Sequence, residues 1–239
     1  MNSFLRKPSL QLFIIINLIA PLSFIFAQDW PELSRYSKSN KQLGLPSPTE
    51  NRVIFIGNSI TEGWSTIFPE FFEGKSYINR GISGQTTPQM LIRFRPDVID
   101  LKPKIVLILA GINDIAGNTG PSTVKMISDN IISMAELAKS NGISVVISSI
   151  LPAKDFPWST NMNPPPKILA VNKIIEKYAK DNEMIYLDYY SSMVDNNFAL
   201  IETYGSDGVH PNKEGYKVMS FLANRAINKI LEQKNNIFK

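Results

Sequence analysis

Arg52-Val53-Ile54-Phe55-Ile56-Gly57-Asn58-Ser59-Ile60-Thr61 is the stretch from which the fold can be read. Its first half is an unbroken apolar, β-branched run ending in glycine, the pattern of a strand covered on both faces. Residues 104–110, 143–149 and 184–188 repeat that pattern, and residues 77–82 add a fifth run that mixes in Asn79 and Arg80. Helix-length segments lie between them. Residues 87–101 carry Met90, Leu91, Phe94 and Val98 at helical spacing. Residues 121–140 open on Pro121, suited to a first helical position, and stop before Asn141-Gly142. Residues 167–181 and 211–233 complete the set. Strands alternating with helices predict an α/β fold, a parallel sheet wrapped on both faces. Five strands suit a flavodoxin-like doubly wound sheet, whose ligands bind beyond the carboxyl ends of the strands. The proline-rich residues 151–166 read as a long loop at that edge.

Length and composition bound the function. A chain of 239 residues, 44% of them hydrophobic, can bury one substantial core. No repeat or linker divides residues 28–239, which are expected to form a single domain. Residues 1–27 differ: basic Arg6 and Lys7, an apolar run to Phe26, and small Ala27. This is the pattern of a signal peptide cut near Ala27, and Asn17 and Pro21 interrupt the run that a membrane anchor would need. The absence of cysteine leaves no disulfide and no lipid attachment point. A periplasmic or secreted protein without a lasting membrane anchor is expected. Residues 1–27 hold two of the 25 basic residues and none of the 21 acidic ones, so the remainder is nearly balanced. With no dense Lys/Arg block, nucleic acid is not an expected partner.

One histidine is present in the whole chain, His210, in Ser206-Asp207-Gly208-Val209-His210-Pro211. Imidazole titrates near neutral pH and can take and return a proton there. Ser59 follows the first strand, Gly81 ends the second, Asn113 follows the third, and Asp207 and His210 follow the fifth. All lie at one edge of the predicted sheet. Acyl transfer needs a nucleophile, a base and donors for the developing oxyanion. Ser59 suits the first role, His210 the second, and Asp207 can fix the imidazole tautomer. The backbone N–H groups of Ser59 and Gly81 and the Asn113 amide suit the third. With one histidine and no cysteine, a metal site would need mainly carboxylates, and these do not cluster, so neither metal nor cofactor is expected. Ser59 has Gly57 two before it but Thr61 two after, which excludes the Gly-x-Ser-x-Gly elbow. Residues 81–84 lack the full spacing of a phosphate-binding loop.

Taken together, these segments resemble the SGNH hydrolases, the GDSL lipase/esterase family. Gly57-Asn58-Ser59-Ile60-Thr61 is similar to its first block, Gly81 within Asn79-Arg80-Gly81-Ile82-Ser83-Gly84 to the second block's glycine, Gly111-Ile112-Asn113-Asp114 to the third, and Asp207-Gly208-Val209-His210-Pro211 to the last. The resemblance runs over residues 52–215 in the family's order. It implies a three-layer α/β/α sandwich and a metal-independent serine esterase with Ser59, His210 and Asp207 as its triad. Asn58 stands where the family usually has Asp, keeping hydrogen-bonding ability without the charge.

Substrate is less constrained. The wording of the blocks resembles that of small secreted acetylhydrolases, which with the expected location favours short acyl groups, above all O-acetyl, on a glycan. A lysophospholipase or thioesterase acting on longer chains is the alternative enzyme, and a glycan-binding protein that lost the chemistry is the alternative class. Trp64, Trp158 and Phe156 suit either aromatic walls for a sugar ring or ordinary packing. Arg80 suits either a substrate carboxylate or a structural ion pair.

Overall fold

The computed structural model describes residues 29–237, with side chains to residue 233. The expected signal peptide, residues 1–27, lies outside the described residues. A short helix α1 (Ser37–Leu43) precedes strand β1 (Val53–Gly57), which leads through Asn58 into α2 (Ser59–Ile67). Then follow β2 (Tyr77–Gly81), α3 (Thr87–Asp97), β3 (Ile105–Leu109), the single turn α4 (Ile112–Ile115) and α5 (Val124–Ser140). Strand β4 (Ser144–Ser148), α6 (Pro164–Asp181), β5 (Ile185–Leu187), α7 (Tyr190–Met193) and α8 (Lys213–Ile237) complete the chain. All strand pairs are parallel and their order is β2-β1-β3-β4-β5, the flavodoxin-like order.

The five expected strands are all present. Every residue of β1 and β3 is buried, which explains their continuous apolar sequence. Strand β2 lies at the sheet's edge and is only partly covered, so it tolerates Asn79 and Arg80. Asn79 uses the opening: its amide donates to the carbonyl of Thr61 (2.5 Å) and to the Ser65 hydroxyl (3.2 Å), both on α2.

Helix starts are where side-chain caps win over the expected prolines. Pro121 lies outside α5, because the Thr123 hydroxyl accepts the Met126 N–H (3.1 Å) and caps the helix. Pro211 likewise precedes α8, where Asn212 Oδ1 accepts from Glu214 (2.9 Å) and Gly215 (3.1 Å). Conversely, Pro164, Pro165 and Pro166 form the first turn of α6, where missing N–H groups cost nothing, so the loop beyond β4 is shorter than the sequence suggests. Helix α3 ends at Asp97, and residues 99–101 continue as a 3-10 turn. No described helix is long and apolar enough to cross a membrane.

Candidate active site

The sheet order reverses direction at β1, between β2 and β3, and the site residues gather at the carboxyl ends there. Gly57 closes β1 and Asn58 caps α2, its Oδ1 accepting the N–H of Ile60 at 3.0 Å. Asn58 is buried and serves the turn, a task that needs an acceptor but no charge. Ser59 is therefore the first helical residue. Its Oγ lies 2.9 Å from His210 Nε2, across 151 positions of sequence.

The other side of the imidazole is organised within four residues. His210 Nδ1 is 2.7 Å from Asp207 Oδ2, while Asp207 Oδ1 accepts the N–H groups of Val209 (3.0 Å) and His210 (2.8 Å). Partial burial pushes the Asp207 carboxyl up. The His210 N–H and imidazole, with the Val209 N–H, outweigh this and hold it below the ordinary carboxylate range. The chain around this turn closes on itself through a bridge between Gly205 and Pro211. The arrangement has what a proton relay requires: a hydroxyl, an imidazole facing it, and an ionised carboxylate fixing the far nitrogen.

The donors are differently placed from expectation. Gly81 is no free donor, because its N–H is taken by Asn79 Oδ1 at 2.8 Å. It is glycine for space: a Cβ there would collide with the Glu62 backbone, where α2 crosses β2. Gly84 is the second glycine of this stretch. It sits exposed on the loop of residues 82–86 with φ +77°, a conformation open to glycine, and no acceptor among the described residues engages its N–H. The buried Asn113 amide donates to the next carbonyl, that of Gln85, at 3.0 Å, and Asn118 donates to the carbonyl of Gly84 at 3.1 Å. In the sequence both glycines stand in one six-residue stretch, and only the hydrogen-bond partner of Gly81 separates them. The Ser59 N–H, in the first turn of α2, has no partner among the described residues.

Of the three aromatic candidates, one reaches the site. Trp158 is 46% exposed, its ring 5.8 Å from that of His210, and its indole N–H donates to Asn118 Oδ1 at 3.2 Å. Phe156 is buried and supports Trp158 from 5.4 Å. Trp64 is core: fully buried, stacked on Phe71 (4.8 Å) and Tyr216 (5.6 Å), with its N–H on Ser220. It cannot meet a substrate. Arg80 is also structural, but not through an ion pair. Its buried guanidinium donates to Asn40 Oδ1 (2.9 Å) and the Asn79 carbonyl (2.7 Å) and lies over the Tyr36 ring.

Asp114, beside Asn113 in the third block, is a buried carboxyl. It accepts the Thr87 N–H (3.0 Å) and hydroxyl (2.5 Å), tying α4 to the start of α3. Burial pushes it up to about 6 despite those hydrogen bonds. A carboxyl raised on folding gives stability that is complete below its unfolded value near 3.8 and lost as pH rises through 6. The loss is about 3 kcal/mol at about 1.4 kcal/mol per unit. Urea unfolding of wild type and Asp114→Asn between pH 4 and 7 checks this. The stability difference between them should shift against wild type by about that amount as pH rises.

The model of the GDSL-like lipase/acylhydrolase family matches residues 55–218. The chain belongs to this family. The GDSL-family protein resembles a candidate acylhydrolase of known structure from Bacteroides fragilis, with 49% identity and a TM-score of 0.84 over 85% of this chain and 99% of that one. A GDSL-like lipase from Bacteroides thetaiotaomicron gives 48% identity and a TM-score of 0.82, over 84% and 98%. An arylesterase from Vibrio mimicus is 31% identical over 121 residues, 45% of this chain and 58% of the relative. The GDSL-family protein spans about half the length of the curated relatives it matches.

Proposed function

We propose that the protein is a serine ester hydrolase that removes short acyl groups, chiefly acetyl, from carbohydrate outside the cytoplasm. The observation that carries this reading is the continuous relay Ser59 Oγ–His210 Nε2 and His210 Nδ1–Asp207 Oδ2, at 2.9 and 2.7 Å. Ser59 Oγ attacks the ester carbonyl as its proton passes to His210 Nε2. The oxyanion is met by the N–H groups of Ser59 and Gly84 and the Asn113 amide. Collapse breaks the ester C–O bond, and the imidazolium returns its proton to the departing alcohol. Water then attacks the acyl-enzyme, losing its proton to His210, and release of the acid restores Ser59.

Two features favour a short acyl group on a sugar. The exposed Trp158 ring beside His210 offers a flat apolar surface of the kind a sugar face stacks on. Of the cavities beside the site, one of about 430 Å³ is bordered by Phe156 and Pro157 together with Lys154, Asp155 and Asp207, and one of about 340 Å³ by Ile115 and Met162 together with Asp114 and Lys167. A long alkyl chain would desolvate those charges without pairing them. The extracytoplasmic location rests on the pattern of residues 1–27.

A series of p-nitrophenyl esters, followed by acetylated glycans with the released acid identified, tests the proposal. Acetate should be hydrolysed with the highest kcat/KM and octanoate with the lowest. A preference for octanoate would instead make it a lysophospholipase or thioesterase. Absence of turnover on every ester, with glycan binding retained, would leave a binding protein.

A further inference from the structure

Residues 30–40, which precede the sheet, lie across the back of the candidate site. The carbonyls of Trp30 and Pro31 accept the side-chain amides of Gln89 and Gln85, each at 2.8 Å. The Tyr36 hydroxyl donates to the carbonyl of Gly81. Arg35 donates to Glu62 Oε1 at 2.7 Å, and Glu62 Oε2 accepts the Ser83 N–H at 2.8 Å and the Ser83 hydroxyl. Asn40 holds Arg80 and Asp97. One short segment therefore touches Gly81, Gln85 and Gln89 directly and Ser83 through Glu62.

The same loop is held from inside. Arg93, fully buried, donates to Gln85 Oε1 (2.5 Å), to Asp97 (3.0 Å) and to the carbonyl of Gly57 (2.9 Å), two residues before Ser59. Gln85 is thus fixed between the N-terminal segment and a cation that also grips the nucleophile's strand. Its carbonyl in turn holds Asn113. Gly84 lies between the two anchored residues Ser83 and Gln85; a Cβ there would meet nothing within 4 Å, and its carbonyl accepts the Asn118 amide at 3.1 Å.

We propose that residues 30–40 are a strap that sets the position of the 81–87 loop relative to Ser59, with Arg35 and Tyr36 as positioning residues for acyl transfer. The proposal rests on the esterase reading above. Oxyanion donors act only when aimed at the site of developing charge, and a displacement of about 1 Å costs on the order of 100-fold. Loosening the strap acts chiefly on the chemical step, because among the described residues the strap makes no hydrogen bond to Trp158 and reaches it only indirectly, through the Gly84 carbonyl and Asn118.

The test is the Arg35→Ala/Tyr36→Phe double variant of the full chain, beside wild type and Arg35→Lys. Arg35 is half exposed and Tyr36→Phe keeps its ring, so the variant should fold. With p-nitrophenyl acetate, kcat should fall roughly 10- to 100-fold and KM change less than about two-fold, with Arg35→Lys close to wild type. Hydrogen exchange at residues 81–87 should quicken in the double variant. Wild-type kcat in the double variant, or unchanged exchange at 81–87, would overturn the strap. If wild type itself hydrolyses no ester, the esterase reading fails, and the exchange comparison decides the strap alone.

Discussion

Replacing Ser59 with alanine should abolish ester turnover while leaving the fold intact. Its Oγ makes one hydrogen bond among the described residues, to His210, so its loss removes no structural contact of the core. Removing the nucleophile of a serine hydrolase leaves only what binding and the oxyanion donors supply, and in subtilisin the loss is on the order of 10⁶-fold in kcat. His210→Ala should cost as much, because no other imidazole exists in the chain to substitute. The uniqueness of His210 also gives a direct check. With one imidazole in the sequence, any general-base role in ester hydrolysis falls to His210. Wild-type turnover in His210→Ala would remove the proposed role.

Asp207→Asn should be nearly as damaging for a geometric reason. In the wild type, Oδ1 is committed to two backbone N–H groups and Oδ2 faces His210 Nδ1. An asparagine here keeps its oxygen on those N–H groups, which turns its NH₂ towards Nδ1. Two donors cannot share that contact. The imidazole must then carry its proton on Nε2, facing Ser59, where it cannot accept another. The same substitution in a serine protease costs about 10⁴-fold. A kcat/KM loss below ten-fold in Asp207→Asn, with a normal unfolding midpoint, would show that Asp207 does not set the tautomer.

Much of this was legible in the residues. Continuous apolar runs marked β1 and β3 because strands buried on both faces have no polar side to display. Residues after strand ends marked Ser59, Asn113, Asp207 and His210 because a doubly wound sheet sends every such residue to one edge. What failed depended on contacts between segments remote in sequence. Trp64 and Trp158 are identical in composition, and only the packing of Phe71 and Tyr216 on Trp64 makes it core. Gly81 and Gly84 are indistinguishable as letters, and only the Asn79 side chain, which accepts the Gly81 N–H, sets them apart. Arg80 stays open between a ligand and a structural ion pair in the sequence because its partners, Asn40 and Tyr36, come from a segment without a recognisable pattern. Helix starts slipped by two or three residues wherever a Thr or Asn cap competed with a proline.

The Asp207–His210 turn has one more implication. Because acid and base are joined by three residues and by the Gly205–Pro211 bridge, their mutual geometry is a local property of the chain. The complete relay then hangs on one distance between remote parts, from Ser59 to His210. Proton-relay competence is therefore an all-or-none reporter of whether this terminal segment is docked. During refolding it can switch on only when α8 closes against α2, however early the sheet between them has formed.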